Sequence, residues 1–191
     1  TGTLGADGRF SVAVPGADLV ADGDKTLDVS IRITDPAGNQ ANIPATRAYS
    51  VDTAASGAPT VTIAEDANNN GFISRAELNG VVDVRVGLPA GTLAGDTLTV
   101  SNGTTTTDFV VTAAHLAAGF VDTSFAAPAE GTVINVTAIL TDIAGNSSPQ
   151  GLDAARIDTT GPSSATTCIT VNPVTADNIV NATEAAGNIN V

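Results

Sequence analysis

Val133-Ile134-Asn135-Val136-Thr137-Ala138-Ile139-Leu140-Thr141-Asp142-Ile143-Ala144-Gly145-Asn146 carries the reading of this chain. Ile134, Val136, Ala138 and Leu140 fall on every second position, the period that sends successive side chains to opposite faces of a strand. The Asp-x-Ala-Gly-Asn that follows is turn chemistry, with Asp and Asn bonding the backbone locally and Gly free to adopt positive φ. The same alternation marks Phe10-Ser11-Val12-Ala13-Val14, Leu27-Asp28-Val29-Ser30-Ile31-Arg32-Ile33 and Val82-Asp83-Val84-Arg85-Val86. Turn signals at Ala6-Asp7-Gly8, Ala21-Asp22-Gly23-Asp24 and Ser101-Asn102-Gly103 separate such runs. About seven half-buried antiparallel strands in roughly 100 residues predict an all-β fold of tandem immunoglobulin-like β-sandwich domains. The cysteine pair and core Trp of antibody domains are absent, so the likeness is architectural. Ala113-Ala114-His115-Leu116-Ala117-Ala118, ending at Gly119, is the one segment expected to turn helically.

The opening stretch has an echo. Ile33-Thr34-Asp35-Pro36-Ala37-Gly38-Asn39 recurs as Leu140-Thr141-Asp142-Ile143-Ala144-Gly145-Asn146, an offset of 107 residues. Ser50-Val51-Asp52-Thr53 recurs as Arg156-Ile157-Asp158-Thr159 at 106, and Val61-Thr62-Ile63 as Ile169-Thr170-Val171 at 108. Three motifs in one order at nearly one spacing define a tandem repeat. The chain then divides into the C-terminal part of one repeat (1–57), a complete repeat (58–162) and the N-terminal part of a further repeat (163–191). The outer pieces are cut from a longer array or pair between neighbouring chains, and the sequence leaves both open. The expected partners are adjacent repeats of the same chain and other copies of the same protein.

The 191 residues contain 3% aromatics, no Trp and no Met, so the core must be built from Val, Ile, Leu and Ala. A formal net charge of −13, from 20 acidic and 7 basic residues, leaves little to neutralise phosphates or anionic lipid heads. Nucleic-acid partners and direct membrane insertion are therefore not expected, and no apolar run approaches the length of a membrane span. A single cysteine, Cys168, excludes an intrachain disulfide. Cys168 lies in an expected strand as a buried thiol. Metal binding to the folded state is the remaining kind of staple, and an acidic chain offers the hard oxygen ligands that Ca²⁺ prefers.

The sharpest chemical signal is Asp66-Ala67-Asn68-Asn69-Asn70-Gly71-Phe72-Ile73-Ser74-Arg75-Ala76-Glu77. Asp stands first, Asn at the third and fifth positions, Gly at the sixth and Glu at the twelfth, the full calcium-loop pattern. Asp66, Asn68 and Asn70 offer side-chain oxygens, Phe72 its carbonyl, Ser74 a direct or water-mediated ligand and Glu77 a bidentate carboxylate. A polar hairpin loop holding no ion is the plainer alternative. The flanks read as strands, so the loop would sit on a β-sandwich edge and lack the helices of an opening sensor. Asp177 to Glu184 aligns with Asn70 to Glu77 at the same offset of 107, while Pro173 and Thr175 replace Asp66 and Asn68. Asp177 and Glu184 thus form a half-site. Asp35, Asp142, Asp52 and Asp158 fall at repeat ends, where they would hold a cation between repeats or, in the case of the turns, cap their own backbone.

No catalytic constellation is present, and the chain is read as non-enzymatic. His115 has no motif-placed Ser or Cys partner, and no G-x-x-x-x-G-K-S/T phosphate loop occurs.

Asp-x-Ala-Gly-Asn, then Val-Asp-Thr ahead of a Gly/Pro stretch at 51–53, then Ile169-Thr170-Val171-Asn172-Pro173-Val174-Thr175-Ala176-Asp177-Asn178, resembles the bacterial Ig-like repeats of giant biofilm-associated and RTX-type adhesins. Val14-Pro15-Gly16-Ala17-Asp18-Leu19-Val20-Ala21-Asp22-Gly23-Asp24 adds to the likeness, which covers essentially the whole chain. The resemblance implies type I secretion, location at the bacterial cell surface, and a filament-like array of calcium-stiffened extender repeats serving cell adhesion and biofilm formation. By position, it implies linker ligands drawn from Asp35, Asp52, Asp142 and Asp158 together with the Asp66–Glu77 loop. The alternative function is a ligand-binding Ig-like module contacting glycan, ice or a host receptor directly, for which Thr104-Thr105-Thr106-Thr107 is the one sequence hint.

Overall fold

The computed structural model describes residues 9–163 and 173–188. Helix α1 (Gly16–Ala21) leads into a two-stranded sheet of β1 (Thr26–Thr34) and β2 (Gln40–Ala48). Eight further strands follow: β3 (Thr60–Ile63), β4 (Phe72–Ser74), β5 (Val81–Gly87), β6 (Thr97–Ser101), β7 (Thr106–Val110), β8 (Phe120–Ala126), β9 (Val133–Thr141) and β10 (Gly151–Asp158). Helix α2 (Ala113–Ala118) sits between β7 and β8, and a short 3-10 turn covers Glu184–Ala186. Among the described residues no helix is long and apolar enough to cross a membrane.

Strands β3 to β10 form two sheets, ordered β4-β10-β9-β6-β7 and β3-β5-β8. The period-two pattern decides what lies between them. Ile134, Val136, Ala138 and Leu140 of β9 are no more than 4% exposed, and Val82, Val84 and Val86 of β5 no more than 2%. They meet Val61, Ile63, Ile73, Leu98, Val100, Val121, Ile157 and one aromatic, Phe125, in a single core. At about 25 cal/mol per Å² of apolar surface removed from water, this layer is the main stabilising contribution. The architecture is all-β and consistent with a β-sandwich. Strand β4 is joined to β10 in parallel, with Phe72, Ile73 and Ser74 opposite Arg156, Ile157 and Asp158.

One of the three repeated motifs also recurs in the structure. β1 and β9 occupy the same nine positions 107 residues apart, and each ends in the same turn. Asp35 N–H donates to the Asn39 carbonyl at 2.9 Å and Asp142 N–H to that of Asn146 at 3.0 Å, with Gly38 and Gly145 at φ 91° and 94°. On β1 and β2, Leu27, Val29, Ile31, Ile33 and Ile43 share one face, all of them exposed.

Two local expectations change. Phe10 to Val14 forms no strand: alternation only creates a candidate face, and among the described residues no strand pairs with it. Helix α1 instead occupies the stretch after Pro15, a residue that presets helical φ, with Asp18 in the first turn where the helix dipole favours an anion. At α2, Thr112 is the N-cap and His115 completes a capping box from the third helical position. His115 N–H donates to Thr112 Oγ1 at 3.3 Å, and its Nδ1 accepts from Thr112 N–H at 3.3 Å. Cys168, its flanking Ile169-Thr170-Val171 and the turn at Ala6-Asp7-Gly8 lie outside the described residues.

Candidate metal centre

β3 and β4 belong to different sheets, and residues 64–71 carry the chain between them. Asp66 is 6% exposed and organises this connection with both oxygens, Oδ1 accepting from Asn70 N–H at 2.9 Å and Oδ2 from Gly71 N–H at 2.8 Å. Asn69 and Gly71 take positive φ of 54° and 81°, which wraps the backbone around the aspartate. Asn68 Oδ1 accepts from Asn70 N–H at 3.0 Å, and Asn70 Oδ1 accepts from Phe72 N–H at 2.9 Å at the start of β4. Beyond β4, Ser74 N–H and its hydroxyl donate to Glu77 Oε2 at 2.9 and 2.7 Å. Asn68 Nδ2 closes the ring by donating to Glu77 Oε1 at 2.8 Å.

The structure therefore gathers Asp66, Asn68, Asn70, Phe72, Ser74 and Glu77 into one loop. These Ser74 bonds, the backbone one foremost, hold the Glu77 carboxyl below its ordinary value, so it is ionised at neutral pH. Among the described residues no three His, Cys, Asp or Glu side chains come together. The loop's donors are instead two carboxylates with amide, hydroxyl and carbonyl oxygens. An all-oxygen set of this kind suits a hard cation such as Ca²⁺ and lacks the soft ligands of zinc or copper.

The remaining candidates separate. Asp158 lies in register opposite Ser74, beside this loop. Asp52 and Asp142 are at the other end of β10, because β9 and β10 run antiparallel. There Asn146 Nδ2 donates to Asp142 Oδ2 at 2.9 Å and to the Asp52 carbonyl at 3.1 Å. Asn146 N–H takes Asp142 Oδ1 at 2.8 Å, so both carboxylate oxygens cap the turn. Asp35 does the same with Asn39 on the β1–β2 hairpin, at 2.8 Å for each bond. The Asn side chain is the largest cause lowering the carboxyl pKa of both aspartates.

Asp177 and Glu184 repeat the second half of the loop. Ile179 N–H donates to Asp177 Oδ1 and Asn181 N–H to Glu184 Oε2, each at 3.0 Å, matching Phe72 with Asn70 and Ser74 with Glu77. Asn178 takes the place of Gly71 and keeps a positive φ, 59°.

Sequence reasoning passed over several residues around this loop. Asp153 Oδ2 accepts from Ile63 N–H at 2.8 Å, replacing a ladder bond at the β3 edge. Glu130 and Arg75 grip the chain leaving β10. None belongs to a local motif, since each is defined by a contact across many residues of chain. Glu65, 7% exposed, accepts from Asp83 N–H at 2.7 Å, and burial pushes its carboxyl up. The folded state then binds more protons than the unfolded one between the ordinary carboxylate value and the raised one. Stability falls as pH rises through that window. Glu65→Gln is expected to remove the fall, so the stability difference between variant and parent, from urea unfolding, should grow in the variant's favour from about pH 4 to pH 7. A difference independent of pH would contradict the burial argument.

No protein-family model matches the chain, and no curated protein matches it. Solved structures do, among them two of bacterial adhesins. One, of a Ca²⁺-stabilized adhesin that helps an Antarctic bacterium reach out and bind ice, is 31% identical over 96% of this chain, with a TM-score of 0.54. The chain spans 43% of that structure's length. The other, from work on host cell surface retention of a 1.5-MDa bacterial ice-binding adhesin, is 28% identical over 92% of this chain and 54% of its own, with a TM-score of 0.42.

Proposed function

We propose that this chain is a run of calcium-stiffened, immunoglobulin-like extender repeats of a secreted bacterial surface adhesin, divided at about residues 57 and 162. The observation that carries the reading is the loop of Asp66 to Glu77, closed by the Asn68–Glu77 hydrogen bond and set beside Asp158 where the chain leaves the two sheets. Asp66, Asn68, Asn70, Phe72, Ser74 and Glu77 would hold the ion, which supplies a charge centre that ties β4 to the segment after β3. Likeness to an adhesin described as Ca²⁺-stabilized supports both the ion and the cell-surface setting. The half-site at Asp177 and Glu184 lacks two ligands and would bind more weakly. Export by type I secretion, a part in biofilm formation and association between copies belong to the same reading.

A direct-binding role would draw on the hydroxyls of the sheet surface. Of the four threonines from Thr104 to Thr107, the Thr106 hydroxyl is engaged with Ser101, whereas extension draws on the Asp66–Glu77 loop as a whole. Extension is the better supported function.

Titration calorimetry with CaCl₂ tests the site. A saturable heat is expected for the parent and none at the loop for Asp66→Ala/Glu77→Ala. A parent that gives no heat leaves the loop as a polar turn and removes the calcium reading.

A further inference from the structure

Thr159 is the first residue beyond β10, and side chains from two separate loops hold all three of its polar groups. Its N–H donates to both carboxylate oxygens of Glu130, at 3.0 and 3.1 Å, and its hydroxyl donates to Glu130 Oε2 at 2.7 Å. Its carbonyl accepts from Arg75 Nε at 3.0 Å. Thr160 N–H adds a bond to Glu130 Oε1 at 3.2 Å.

Neither gripping residue is free to drift with the chain it grips. Glu130 stands in the turn between β8 and β9, and that turn is stitched to the end of β10. Gly131 N–H donates to the Ile157 carbonyl at 2.8 Å, and Ile157 N–H to the Thr132 carbonyl at 2.9 Å. Arg75 follows β4, whose pairing with β10 fixes it on the other side. Hydrogen bonds to an ionised acceptor are shorter and stronger than neutral ones, and four converge on one carboxylate.

We propose that Glu130 and Arg75 form a bracket that fixes the exit direction of the chain at Thr159–Thr160 relative to the two sheets, without a bound ion. Composition alone reads Thr159-Thr160-Gly161-Pro162-Ser163 as a flexible connector. The bracket takes its first two residues out of that class. The inference goes beyond the calcium reading and does not depend on it.

The test is a distance distribution between spin labels at Leu152→Cys and Pro162→Cys, in the full chain with Cys168→Ser, recorded in excess EGTA well below the melting midpoint. Glu130→Ala and Arg75→Ala are each expected to broaden the distribution about two-fold, while Asp28→Asn on the distant hairpin leaves it unchanged. Equal widths in parent and bracket variants would overturn the proposal. So would a parent as broad as the variants in EGTA that narrows only with CaCl₂, a result that would leave the calcium reading standing. Broadening in the variants together with a parent indifferent to calcium would uphold the bracket and leave the Asp66–Glu77 loop to the calorimetric test.

Discussion

Gly151→Ala is expected to lower the melting midpoint by about 10 °C or more, although the glycine has no unusual backbone angle to protect. Gly151 opens β10 opposite Ala138 and is buried. A methyl group there would overlap the Pro59 carbonyl oxygen and come within 3.3 Å of Val61 Cγ2. The obstacle is main chain, so no side-chain rotation relieves it. The segment from Pro59 into β3 must lift, and with it go Val61 and Ile63, which are 8% and 1% exposed. Overpacking against a rigid neighbour costs about 3 kcal/mol. For a body of about 100 residues, 1 kcal/mol moves the midpoint by about 4 to 8 °C. Gly161→Ala, where an added Cβ meets nothing within 4 Å, is the matched control and should melt with the parent. Calorimetry showing Gly151→Ala within about 2 °C of the parent would mean that the segment before β3 does not lie against β10.

Calcium is the second large effect. A ligand that binds only the folded state adds RT ln(1 + [L]/Kd), about 2.7 kcal/mol at one hundred times Kd. Extracellular calcium modules bind with Kd of about 10⁻⁴ to 10⁻³ M. In about 10 mM CaCl₂ the midpoint is therefore expected to stand about 10 °C above its value in EGTA. Asp66→Ala/Glu77→Ala must be compared with itself in the two buffers, because Asp66 also holds Asn70 and Gly71 without any ion. That internal difference should vanish. MgCl₂ should give a smaller gain, since Mg²⁺ demands a tighter octahedron and sheds water reluctantly. A parent midpoint indifferent to CaCl₂ would sink the stiffening role.

Most of the architecture was legible because it is periodic. Val82, Val84 and Val86, and Ile134 to Leu140, announce one buried face by spacing alone, and both Asp-x-Ala-Gly-Asn turns close as their composition requires. Phe10 to Val14 has the same spacing and no strand, because pairing is decided by a neighbour the pattern does not name. The loop from Asp66 to Glu77 was visible as a continuous twelve-residue motif. What encloses it was not, because Asp153 reaches Ile63 across 90 residues and Glu130 reaches Thr159 across 29. Long-range polar contacts leave no local signature, and His115 shows the short-range version, a capping role taken by a residue type that cap rules do not list.

Parallel pairing of β4 with β10 also decides how the two sheets answer a pull. Once β3 has yielded, tension applied through the chain drags on β4 from its N-terminal side and on β10 from its C-terminal side. Two parallel strands drawn apart in this way slide along their shared axis, and the bonds between them are loaded together. An antiparallel hairpin pulled at its open ends peels one bond at a time. The three paired residues from Phe72 to Ser74 thus act as a shear lock, placed where a tether under load would need one.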